Sequence, residues 1–179
     1  MVDDSVEPWL RGPLADAHPL VAPTLHAYAQ VREDLIRWTN GLTDAQIWSR
    51  PHGLAPVGFH LRHIAGSVGR LTTYLGGEQL TSEQLDAIAH EMDPGAEPFR
   101  SSLPGLLSEV NEALNRSEQA IRALNPAALT EPRSVGRQRL PTTVVGLVVH
   151  LAEHTQRHVG ELIVTAKTIQ KDSQPGNTI

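Results

Sequence analysis

At 179 residues, with no cysteine and a formal net charge of -5, the chain can bury one core without disulfides or structural metals; thiolate ligands and a cysteine nucleophile are excluded. The acidic balance, with a pI near 6.0, argues against a nucleic-acid binder, which would carry a basic surplus on one face. No run of about 18 apolar residues occurs, and the acidic start MVDDSVEPWL lacks the basic and apolar regions of a leader, so a cytoplasmic protein with no membrane partner is expected.

Residues 1–20 are acidic and interrupted by Pro8, Pro13 and Pro19, which predicts an extended N-terminal arm. A first long helix is predicted from about Pro23, a residue suited to a first turn, through Tyr28, Val31, Leu35 and Trp38 to the stop at Asn40-Gly41. Thr43 and Gln46 have the spacing of a capping box. After the breaker Arg50-Pro51-His52-Gly53, a second long helix is predicted over 56–75, because Val57, Leu61, Ile64, Val68, Leu71 and Leu75 recur at three and four.

A short helix is predicted over 81–92, capped by Thr81 or Ser82 and ended by Asp93-Pro94-Gly95. A third long helix follows over 103–124, with Leu106, Leu107, Val110, Leu114 and Ile121 as its stripe. Asn125 to Pro141 reads as a loop bearing Arg133, Arg137 and Arg139; these would either meet an anionic group at the next helix N-terminus or simply be solvated. Thr142 or Thr143 caps the last helix, which fades near Lys167, and residues 169–179 read as a polar, poorly ordered tail. No strand-like alternation persists, so the expected fold is all-α: a four-helix bundle over 21–168 with an extra short helix between its second and third helices.

The last helix carries His150, His154 and His158 at four-residue steps, which stacks neighbours of the series on one face. At 100° per residue its apolar stripe is Val144, Val148, Leu151, Thr155, Val159 and Leu162, and His158 lies about 40°, His154 about 80° and His150 about 120° from the stripe's centre. A single histidine there more often packs or hydrogen-bonds, but the pair His154 and His158 has the spacing to close on one metal ion. The second helix offers a third donor in His60 or His63. Periodicity puts His60 nearer the apolar stripe, and the residues alone leave that choice open.

PVGFHLRHIAGSVGRLTTYL from Pro56 to Leu75, with HLAEHTQRHVGE from His150 to Glu161, resembles the DinB/YfiT-like superfamily of metal-dependent four-helix bundles. The resemblance covers about residues 21–168 and implies His63, His154 and His158 as metal ligands. Val159 and Glu161 stand where the family commonly has arginine and glutamine. His60 would then pack or support a ligand ring, and His150 and Glu161 are further candidates for supporting the ligands.

Three imidazoles leave an ion its charge and an open position, suited to activating water or a thiol. One divalent ion per chain is expected, zinc or nickel first and iron or manganese as alternatives. The expected partners are a small-molecule substrate, a low-molecular-weight thiol among them, and a second copy of the chain should a spare apolar face remain. Family members described as hydrolases or thiol-dependent transferases give the implied activity; the other reading is a non-catalytic metal- or ligand-binding bundle. Glu153 points about 100° away from His154 and reads as a surface or inter-helix residue rather than a general base. Neither an H-E-x-x-H protease helix nor the paired E-x-x-H of di-iron bundles occurs.

Overall fold

The computed structural model describes residues 6–93, 95 and 101–173. The start of the predicted arm, Pro94 as a helix stop and the end of the predicted tail lie outside the described residues. Among the described residues six α-helices are present: α1 (Ala22–Thr39), α2 (Asp44–Ile47), α3 (Val57–Leu75), α4 (Ser82–Ala89), α5 (Leu103–Arg122) and α6 (Val144–Asp172). Two strands, β1 (Pro132–Val135) and β2 (Leu140–Thr143), form an antiparallel hairpin that pairs Pro132 with Thr143 and Val135 with Leu140. No helix among the described residues is long and apolar enough to cross a membrane.

The hairpin corrects the all-α expectation. Its strands are too short to carry an alternating pattern, and the turn between them places Gly136 and Arg139 at positive φ, a backbone state that the loop reading did not anticipate. A second correction lies in α6, which continues past Lys167 to Asp172. Buried Thr165, Ala166 and Ile169 extend its stripe by the same three-and-four spacing, so packing holds the last turns in place.

The local signals elsewhere act as expected. Thr43 and Thr81 each close a capping box, with Gln46 and Gln84 respectively, and the Thr143 side chain accepts from the Gly146 amide at 3.1 Å at the start of α6. Helix α3 packs against α5 and α6, and α1 packs against α6 and α5. Val31, Leu61, Ile64, Leu106, Leu114, Val148, Leu151 and Leu162 are fully buried between them. A buried polar pair crosses this core, the hydroxyls of Tyr28 and Ser117 at 2.8 Å, each satisfying the other. The result sets α3 against α6, the two helices that carry the histidine motifs.

Helix α3 also anchors the segment after α4. The Trp48 ring lies on Gly58, where an added Cβ would come within 2.7 Å of the ring. The Trp48 indole donates to the Ser101 carbonyl at 3.1 Å, and the Arg62 guanidinium stacks 5.0 Å from the ring centroid. Arg62 in turn donates to the carbonyls of His90 and Asp93 and to the Ser101 hydroxyl, pinning both ends of the connection between α4 and α5. Gly58→Ala is therefore expected to destabilise the fold by about 1–3 kcal/mol through overpacking, read as a lower midpoint in urea with an unchanged slope. A midpoint equal to that of the unaltered protein would contradict this packing.

Candidate metal centre

Helix α3 directs His60 and His63 toward α6, which returns His154 and His158 from successive turns. His63, His154 and His158 offer ring nitrogens within 4.8 Å of one another, a grouping that could hold a metal ion. The Nε2 atoms of His63 and His154 face each other at 3.1 Å, and the His158 ring centroid lies 4.3 Å from that of His63 and 4.7 Å from that of His154. Two nitrogens bound to one ion at 2.0–2.1 Å, at tetrahedral or octahedral angles, lie roughly 2.9–3.4 Å apart. The observed separation falls in that window.

Glu91, on the turn after α4, fixes the tautomer. Its Oε2 lies 2.6 Å from His63 Nδ1, so His63 donates Nδ1–H and keeps Nε2 free as a donor of electrons. The facing nitrogens of His63 and His154 can then share only a proton or a cation. His154 Nδ1, meanwhile, is buried without a hydrogen-bond partner among the described residues. Phe59 closes one side, stacked on His63 with centroids 5.5 Å apart and edge-on to His60 at 5.1 Å.

The electrostatics of the two α6 histidines favour the neutral form. Burial first, then the neighbouring His158 and His63, lowers the His154 pKa to about 4; burial also leads in lowering His158, followed by His63. Neutral imidazole is the form that ligates a metal. For Glu91, burial taken alone would raise the pKa, but the hydrogen bond from His63 and the adjacent Arg70 guanidinium outweigh it and hold the carboxyl below its ordinary value. Arg70 lies 2.8 Å from Glu91 Oε1; that oxygen lacks a well-directed hydrogen bond, so the contact is an ion pair rather than a linear bond.

A family model described as the DinB superfamily matches residues 27–162. The chain belongs to the DinB superfamily. No curated protein matches it. The DinB superfamily includes metal-binding proteins, and in this DinB chain the matched span contains all three clustered histidines.

The other sequence candidates fall in different places. His150 lies at the rim as the helical wheel indicates, half-exposed and 2.5 Å from Glu153, and Glu153 also pairs with Arg157 at 3.1 Å. His60 is 1% exposed, and its Nδ1 lies 3.3 Å from His158 Nδ1. Glu161 Oε2 is 3.7 Å from both of those nitrogens. Arg133 donates to the Leu75 carbonyl at 3.0 Å, closing the C-terminal end of α3, whereas Arg137 and Arg139 are exposed in the hairpin turn.

Glu91, Arg70 and Phe59 were not legible as site residues. Glu91 reaches His63 across 28 positions, a separation over which no helical period links two side chains.

Proposed function

We propose that this chain is a mononuclear metal-dependent enzyme in which His63, His154 and His158 hold one divalent ion, zinc or nickel first, and which acts on a small molecule with water or a low-molecular-weight thiol as nucleophile. The observation that carries this reading is the pair of Nε2 atoms of His63 and His154 at 3.1 Å, with Glu91 fixing one tautomer. We read the four long helices as a four-helix bundle of the DinB type, in which the ion clasps α3 to α6. When bound, the ion would keep its charge and an open position, able to polarise a substrate and ease deprotonation of water or a thiol. The chain's own part is orientation: Glu91 aligns His63, Phe59 covers two of the rings, and the low proton affinity of His154 keeps it ready to ligate at neutral pH.

The test is turnover by the zinc-loaded and nickel-loaded protein with simple esters and amides, and with bacillithiol, mycothiol or glutathione beside an electrophile. Turnover with at least one nucleophile class is expected, and its loss in His154→Ala. A protein that binds the ion tightly yet turns over none of these would be a metal-binding module instead.

A further inference from the structure

His158 belongs to two groups of donors at once. Besides the three-histidine cluster, its Nδ1 faces His60 Nδ1 and Glu161 Oε2. Those three atoms form a triangle with sides of 3.3, 3.7 and 3.7 Å. The centre of that triangle lies about 2.1 Å from every corner, the length of a zinc–nitrogen or zinc–oxygen bond. Two imidazoles and a carboxylate also form a recognised donor set for a divalent cation with an open position.

The surroundings fit a cation rather than a plain ion pair. His60 is 1% exposed and lies on the floor of a cleft of about 220 Å³ lined by Leu54, Ala55, Glu161, Val164 and Thr165. The Glu161 side chain, 53% exposed, lines that cleft and pairs with no lysine or arginine among the described residues. A buried imidazole nitrogen therefore faces a carboxylate oxygen 3.7 Å away across this cleft, two groups of the kind that coordinate a divalent cation.

We propose that His60 Nδ1, His158 Nδ1 and Glu161 Oε2 form a second seat for a divalent cation, beside the three-histidine centre and exclusive of it. Exclusion follows from chemistry: a neutral imidazole has one lone pair, so His158 serves one seat at a time. The open cleft gives this second seat a direct route to solvent. Its single carboxylate and partial exposure make it the weaker of the two, filled when the three-histidine seat is disabled.

Cobalt(II) titration of the full-length, metal-stripped chain, followed by visible absorption and by calorimetry, tests the inference. His154→Ala, and separately His63→Ala, is expected to retain one equivalent of cobalt at reduced affinity. Adding Glu161→Gln to either variant should weaken that residual binding by about tenfold or more, and adding His60→Ala should do the same. Glu161 is exposed, so its replacement leaves the fold intact, and thermal melting of each variant verifies this. Residual binding that is absent in both single variants, or unchanged by Glu161→Gln, overturns the second seat. Either result leaves the three-histidine reading standing, because that reading depends on the tight site of the unaltered protein.

Discussion

His154→Ala is expected to lower zinc and nickel affinity by well over a hundredfold, while His150→Ala leaves it unchanged. The two residues sit one helical turn apart in the same series and present the same side chain, so the comparison isolates position from chemistry. His154 places Nε2 3.1 Å from His63 Nε2, whereas His150 turns to Glu153 at 2.5 Å on an exposed surface. Loss of a direct ligand should exceed the roughly 10–100-fold typical of losing a group behind one. His63→Ala should match His154→Ala, and His158→Ala should remove binding more completely because its ring serves both donor groups.

Stability gives an independent readout. A ligand at about 1,000 times its Kd stabilises the native state by about 4 kcal/mol, so zinc should raise the melting temperature of the unaltered protein and of His150→Ala by several degrees. His154→Ala should show little of that rise at the same concentration. Equal responses from His150→Ala and His154→Ala would remove His154 from the ligand set.

The contrast between His60 and His63 explains how far the sequence could be read. The three-and-four spacing in α3 puts His60 nearer the apolar stripe, and His60 is indeed the buried ring, 1% exposed. That same spacing cannot say which ring joins His154 and His158, because it ranks rings by burial, whereas those two lie where the stripe meets solvent. His63 occupies that border, and the family resemblance pointed to it. The helices of the core were legible because burial imprints a period on every turn. The hairpin was not: four-residue strands held by backbone pairing leave hardly any trace in side-chain polarity. Nor could periodicity pair His63 with Glu91, since their contact depends on the chain path through α4.

Glu91→Ala is expected to weaken metal binding by about 10–100-fold and to destabilise the fold by about 3 kcal/mol, the scale of breaking a largely buried ion pair. Both effects follow from its two contacts, His63 at 2.6 Å and Arg70 at 2.8 Å. Without the carboxylate, the His63 tautomer is no longer fixed and Arg70, itself mostly buried, faces no partner.

Gly66→Ala separates these consequences. A Cβ at Gly66 would lie 2.7 Å from an Arg70 guanidinium nitrogen and 2.8 Å from Glu91 Oε1, forcing both side-chain ends to move. Both are flexible ends rather than backbone, and alanine gains about 1 kcal/mol of helix propensity over glycine. The variant should therefore melt close to the unaltered protein while binding zinc about tenfold more weakly. If Gly66→Ala bound zinc at full strength and Glu91→Ala altered only stability, the carboxylate would be a structural anchor with no hold on His63. If affinity falls in both while stability falls in one, the small residue at position 66 is required because it leaves room for the carboxylate that aligns a metal ligand.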